Sequence, residues 1–274
     1  MEYLDNLFNV QDKVAVITGG SGILGGEIAK GLSRAGAIVI ILGTNEERIN
    51  KKLEYIGSSS NQIAGFVCDV LNEDLVIKVN KIIIEKFRKI DILINAAGGN
   101  LYTATLNTDQ TFFDMDIEGF RKAVDLNLIG TVFPTQIFSA SMAEQKHGSI
   151  INISSMASFK VISRVAGYSA AKAGIDNFTK WLAVEMAIKF GNGIRVNAIA
   201  PGFLLTDQNR HLLTNNDGSL TDRGNSIISM TPFKRFGFPD ELIGTVIWLA
   251  SDASRFVTGT TTSIDGGFSI FSGV

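Results

Sequence analysis

Short runs rich in branched aliphatic residues alternate with longer stretches of helical periodicity along the whole chain. The runs are Val14–Thr18, Ile38–Leu42, Ile63–Val67, Ile92–Asn95, Ser149–Ser154, Ile194–Ile199 and Thr261–Ile264. They read as continuous apolar segments, the pattern of strands covered on both faces by helices. Helical patterns fall at Leu24–Ala35, Glu46–Tyr55, Leu75–Phe87, Phe120–Glu144, Tyr168–Phe190 and Asp240–Ala250. This alternation predicts an α/β fold: one Rossmann-type, doubly wound parallel sheet of about seven strands, spanning residues 1–274 as a single domain. No linker, repeat or composition shift divides it. The least regular segment, Gly202–Met230, is rich in Asn, Thr and Asp and follows a strand end. A stretch of that kind at a ligand-binding edge reads as a substrate loop or lid.

Composition narrows the function classes. The formal charge is −2, with acids and bases interspersed, so no basic patch marks a nucleic-acid or membrane-surface site. Cys68 is the only cysteine, which excludes an intrachain disulfide and a cysteine metal site. No His, Cys or carboxylate cluster has metal-ligand spacing, and no metal is expected. No apolar run reaches the ~20 residues that cross a bilayer, and the first eleven residues do not resemble a secretory signal. A cytoplasmic protein is the expectation.

The first strand runs into Gly19-Gly20-Ser21-Gly22-Ile23-Leu24-Gly25, after which a helix begins. A turn this tight needs residues without a Cβ, and the helix start offers unpaired N–H groups to a pyrophosphate. The second strand ends at Leu42-Gly43-Thr44-Asn45, with neither an acid for a ribose hydroxyl nor an immediate Arg for a 2′-phosphate. Thr44 and Asn45 suit either NAD(H) or NADP(H).

Tyr168-Ser169-Ala170-Ala171-Lys172 places a phenol and an ammonium one helical turn apart, thirteen residues after Ser155 at a strand end. The ammonium should lower the phenol pKa toward a value useful for proton transfer. A serine hydroxyl at that edge can bind the same reacting oxygen. Asn95-Ala96-Ala97-Gly98, Asn127 and Asn197-Ala198-Ile199-Ala200-Pro201-Gly202 follow in an order that, with these, resembles the short-chain dehydrogenase/reductase family. The resemblance covers essentially the whole chain. It implies an oxidoreductase acting on an alcohol or ketone, with Tyr168 as general acid/base, Lys172 holding the nicotinamide ribose, Ser155 orienting the carbonyl and Asn127 supporting a water chain. It also implies that Thr18 to Gly25 binds the pyrophosphate, Asp69 with Val70 the adenine, Asn95, Ala96 and Gly98 the adenosine side, and Pro201 with Gly202 the nicotinamide. One departure stands out: where the family's turn has its next glycine, this chain has Ile23, with Gly22 one place earlier.

The shifted turn, Gly98-Gly99-Asn100, the run from Phe203 to Arg210, Asp217–Thr221 and the ending from Asp265 to Val274 resemble the D-mannonate oxidoreductase (fructuronate reductase) branch. That branch implies reduction of D-fructuronate. Asn100, Arg164 and Arg210 are candidates for the substrate's carboxylate and hydroxyls, although surface arginines are normally solvated and Asn often only shapes turns. Other substrates, such as 5-keto-gluconate or a 3-oxoacyl carrier, remain alternatives. A cofactor-binding protein without activity is a more remote one, since Ser155, Tyr168 and Lys172 are all present. Phe133, Ile137, Phe138, Phe178, Trp181 and Val184 exceed what one buried helix face needs, although a simple core role explains many of them; the family resemblance, with these helices commonly pairing between subunits, implies a homotetramer.

Overall fold

The computed structural model describes residues 2–57, 62–206 and 209–274. Its strands are β1 (Val14–Thr18), β2 (Ile38–Gly43), β3 (Ile63–Val67), β4 (Ile92–Asn95), β5 (Gly148–Ile153), β6 (Ile194–Pro201) and β7 (Thr261–Ile264). The helices are α1 (Glu2–Leu7), α2 (Ile23–Arg34), α3 (Glu46–Ile56), α4 (Glu73–Phe87), α5 (Ile117–Val124), α6 (Gly130–Phe138), α7 (Ala140–Gln145), α8 (Ala166–Phe190), α9 (Arg210–Leu213), α10 (Asp222–Ser229) and α11 (Ile243–Ala250). The seven strands form one parallel sheet in the order β3-β2-β1-β4-β5-β6-β7. Chain order reverses direction at β1, between β2 and β4, and the C-terminal ends of these strands flank a crevice.

Burial explains the continuous aliphatic runs. β1, β4, β5 and β6 are buried at every position, while the edge strands β3 and β7 are partly open. On one face Ile28 and Leu32 of α2 join Val246 and Leu249 of α11. On the other, Val76 and Ile83 of α4 join Phe138, Met142 of α7 and Leu182 of α8. No described helix is long and apolar enough to cross a membrane.

Three expectations need correction. The single helix read over Phe120–Glu144 is broken: a π-helical stretch at Asp125–Ile129 separates α5 from α6, and Ser139 separates α6 from α7. The segment Gly202–Met230 is not irregular throughout, since it contains α9 and α10; its Asp207 and Gln208 lie outside the described residues. Of the surplus apolar residues, Phe138 is core and Phe133, Ile137 and Phe178 pack against it, leaving Trp181 and Val184 exposed.

A buried polar ladder ties the sheet to the helices beneath it. Asn95 pairs in register with Asn152 of β5, and its Nδ2 donates to Asn152 Oδ1 at 2.8 Å and to Thr135 Oγ1 at 2.7 Å. Asn152 Nδ2 then donates to Thr179 Oγ1 of α8 at 2.9 Å. Removing the donor leaves two buried acceptors without it, so Asn95→Ala should cost about 2 kcal/mol in urea denaturation. A cost near zero would show that the ladder does not hold the sheet.

Candidate active site

The crevice opens into a cavity of about 570 Å³ at the C-terminal ends of the central strands. Its wall brings together the glycine turn, the end of β2, the loop after β4 and the Ser155, Tyr168 and Lys172 side chains.

Close packing explains why the turn is glycine-rich. Gly19 has φ of 63°, and a Cβ there would lie 2.6 Å from the Ala96 carbonyl oxygen. A Cβ on Gly25 would lie 2.5 Å from the Gly19 carbonyl oxygen. Helix α2 starts at Ile23 with Gly22 as its cap and no side-chain hydrogen bond there. The first-turn N–H groups of Ile23, Leu24 and Gly25 have no partner within the helix, and all three residues line the cavity. This cradle, lined with backbone donors at the positive end of a helix, fits a pyrophosphate. Ile23 at the departing position leaves the helix start facing the crevice.

Ser21, Thr44, Asp69, Val70, Ala96, Gly98, Pro201 and Gly202 also line the cavity. Three expected contacts do not. Thr18 is fully buried and its Oγ1 accepts from the Ala97 N–H at 3.2 Å, so it fixes the loop behind the wall. Asn45 caps α3, its Oδ1 accepting from the Arg48 N–H at 2.8 Å. Asn95 is engaged in the buried ladder. Arg48 lines the cavity, as do Gly99, Thr206 and Asn209, to which the sequence assigned no contact. Arg48 was legible in principle: with Asn45 as the cap, it falls in the first turn of α3, next to the β2 end.

β5 delivers Ser155, which caps a short 3₁₀ turn by accepting from the Ala157 N–H at 3.2 Å. The Ser155 hydroxyl also hydrogen-bonds the Tyr168 hydroxyl. Lys172 is buried, with its Nζ donating to the Ile153 carbonyl at 2.7 Å and lying 5.5 Å from the Tyr168 ring centroid. The expected lowering of the tyrosine pKa is not what this geometry gives. Burial raises the Tyr168 pKa above its ordinary value, and the Ser155 hydrogen bond only partly offsets it. The ammonium instead bonds the β5 carbonyl.

Burial also lowers the Lys172 pKa to about 8, with Asp176 opposing the shift. Desolvation disfavours the ammonium, so the cation is present below about pH 8 and is lost above it. In the reduction direction, kcat/KM for the cofactor should therefore be level at lower pH and fall above about pH 8. Lys172→Arg, which keeps its charge, should remove that limb. A wild-type profile without an alkaline limb would contradict this assignment.

The π-helical stretch gives Asn127 its position. Its Oδ1 accepts from the Gly99 N–H at 2.9 Å, and its Nδ2 donates to the Gly99 and Ala123 carbonyls, both at 2.9 Å. The amide thus pins the loop after β4 from both sides. Gly98 and Gly99 have φ of 143° and 149°, in the range glycine favours.

The three candidate substrate residues lie elsewhere. Asn100 Nδ2 donates to Thr105 Oγ1 at 2.8 Å, shaping its own loop. Arg164 Nε donates to the Leu106 carbonyl and so clamps that loop to the segment before α8. Arg210 lines a different cavity. Beyond Tyr168 the surroundings are apolar: Met156, Leu213 and Ile227 cluster with Phe268, and Phe203 packs edge-on against Phe268 at 5.2 Å. The polar average of residues 202–230 had concealed this small core. Among the described residues no cluster could hold a metal ion.

A ketone oxygen beside Tyr168 and Ser155 would meet a proton donor and a second hydroxyl, with a cation one turn away. Comparisons with known proteins agree with that chemistry. Residues 20–269 match the family described as enoyl-(acyl carrier protein) reductase. An uncharacterized oxidoreductase of Bacillus subtilis, UxuB, is 42% identical, covering 97% of this chain and 98% of its own. A 3-oxoacyl-[acyl-carrier-protein] reductase of Synechocystis is 34% identical over 94% of this chain and 98% of its own. The crystal structure of a candidate D-mannonate oxidoreductase from Haemophilus influenza, with bound NAD, is 40% identical and superposes with a TM-score of 0.90 over 97% of this chain and 98% of that one. The chain belongs to the short-chain dehydrogenase/reductase family and is an oxidoreductase of alcohol and ketone groups.

Proposed function

We propose that this protein reduces the ketone of a keto-sugar acid, D-fructuronate to D-mannonate, with NAD(H) or NADP(H), and that the reaction is reversible. The observation that carries the reading is one cavity lined by both the glycine turn and the Ser155–Tyr168–Lys172 group. Likeness to the candidate D-mannonate oxidoreductase supports the choice of substrate.

The turn from Gly19 to Gly25 would hold the cofactor pyrophosphate. Thr44, Asp69 and Val70 would meet the adenosine, and Lys172, Pro201 and Gly202 the nicotinamide side. The cofactor supplies the hydride. Tyr168 gives its hydroxyl proton to the oxygen of the ketone as that oxygen gains charge, and Ser155 hydrogen-bonds the same oxygen. Lys172 stabilises the phenolate that remains, and Asn127 keeps the Gly98–Gly99 loop in place beside it. The segment 202–230 serves as the substrate lid, its α10 side packed toward Tyr168.

A second reading, a 3-oxoacyl reductase, has an observation in its favour. The Tyr168 surroundings are apolar, and among the described residues the only cations on the cavity wall are Lys172 and Arg48. Reduced-nicotinamide consumption with D-fructuronate, 5-keto-D-gluconate and a 3-oxoacyl thioester, each with NADH and NADPH, separates the two. A kcat/KM that favours D-fructuronate supports the proposal; one that favours the thioester replaces it with the second reading.

A homotetramer is also part of this proposal. Trp181, Val184 and Ile188 form an exposed apolar stripe along α8, at 60%, 59% and 72% exposure. A face of this kind suits a two-fold contact between copies. Sedimentation at micromolar concentration should give the tetramer mass, and a monomer would contradict it.

A further inference from the structure

A second cavity, of about 640 Å³, lies along the outer side of α2, between α3, α11 and the segment from Leu205. It takes no part in the hydride chemistry. Among the described residues four of its lining side chains are cations, Lys30, Arg34, Lys52 and Arg210, against two carboxylates, Glu27 and Asp240. The positive excess is focused on one point. Lys30 Nζ and Lys52 Nζ lie 3.6 and 4.7 Å from the centroid of the same ring, that of Tyr55. The tyrosine hydroxyl in turn donates to Glu27 Oε1 at 2.6 Å, so part of the nearer carboxylate's accepting capacity is already used.

Two ammonium groups over one ring repel each other, and the ring face and Glu27 offset that repulsion from one side only. Lys52 packs onto α2. Its side chain lies against Gly26 of α2, where a Cβ would come within 2.7 Å of Nζ. Burial lowers the Lys52 pKa, Glu27 opposes that shift and Lys30 adds to it. Phe238, Pro239 and Ile243 supply an apolar wall on the opposite side. A concave site with converging cations and an apolar wall has the chemistry of a small organic anion site.

We propose that this cavity binds a small organic anion carrying two or more carboxylate or phosphate groups, with Lys30 and Lys52 as its principal contacts. Ile23 and Thr206 line both this cavity and the catalytic one, so the occupant sits directly behind the wall of the cofactor cleft. The inference does not depend on the identity of the ketone substrate.

The test is calorimetric titration of the full chain with citrate, and separately with pyrophosphate, at low ionic strength and with saturating NADH in the cell. Excess cofactor keeps either probe out of the catalytic cleft. Saturable binding of at least one probe is expected, weakened about tenfold or more in the Lys30→Gln/Lys52→Gln variant, as loss of charge-assisted hydrogen bonds requires. A preference for citrate over pyrophosphate would identify the ligand class as polycarboxylate, and the reverse as phosphate. Absence of saturable binding by both probes would overturn the proposal. So would binding that the double variant leaves unchanged, or that NADH displaces.

Discussion

Tyr168→Phe should lower kcat by about a thousandfold, within the range that a positioned proton donor contributes, while leaving cofactor affinity nearly unchanged. The substitution removes one hydroxyl and keeps the ring, which packs against the cluster of Met156, Leu213, Ile227 and Phe268. Among the described residues, Ser155 is the side-chain partner that tunes that hydroxyl pKa, and its own cap on Ala157 survives the change. Stopped-flow turnover against fluorescence titration of the reduced cofactor separates the two effects. A matching loss of cofactor binding would mean that the phenol had been holding the cleft together. Undiminished turnover would remove Tyr168 from the chemistry.

Gly98→Ala should be nearly as damaging, although alanine carries no charge and the position makes no proton transfer. The backbone there has φ of 143°, and an added Cβ would stand 2.6 Å from Asn127 Oδ1 and 3.6 Å from Lys172 Nζ. The loop or the amide has to move, and the amide is held by three hydrogen bonds. Displacing the loop by roughly an ångström at the catalytic end is expected to cost about a hundredfold in kcat. The strained backbone should add about 1–3 kcal/mol of destabilisation. Kinetics together with thermal melting test both parts. Wild-type kcat in this variant would show that the Asn127–Gly99 clamp does not position the site.

Much of this was readable from residue order alone. β1, β3, β4 and β7 begin and end where their sequence runs do, and for β1 and β4 the reason is burial between two helical layers at every position. The glycine turn and the Tyr168–Lys172 spacing were legible because each is local: a tight turn or a helical period decides it. What failed was non-local. The break at Asp125–Ile129 leaves the apolar periodicity of the surrounding helix largely intact, so nothing in the pattern announces it, yet it aims Asn127 at Gly99. Thr18, Asn45 and Asn95 were assigned to the cofactor from their places in the motif, whereas tertiary contacts use them as supports for the wall. Arg164 has its partner, the Leu106 carbonyl, 58 residues away in sequence. The core beneath segment 202–230 draws Met156, Ile227 and Phe268 from three separate regions of the chain.

The tyrosine pKa carries the same lesson in electrostatic form. Spacing shows that an ammonium lies one turn from the phenol, but not how deeply either is buried. Desolvation dominates at both groups, raising Tyr168 against the Ser155 hydrogen bond and lowering Lys172 against Asp176.

The most direct test of the account is the fate of the hydride. Turnover of D-fructuronate, or of whichever ketone the enzyme prefers, with reduced cofactor deuterated at the transferring carbon should give a hydroxy product carrying one deuterium by mass spectrometry. The labelled product should form about a thousandfold more slowly in Tyr168→Phe. An unlabelled product, or labelling at the wild-type rate in that variant, would contradict hydride transfer with Tyr168 as the proton donor.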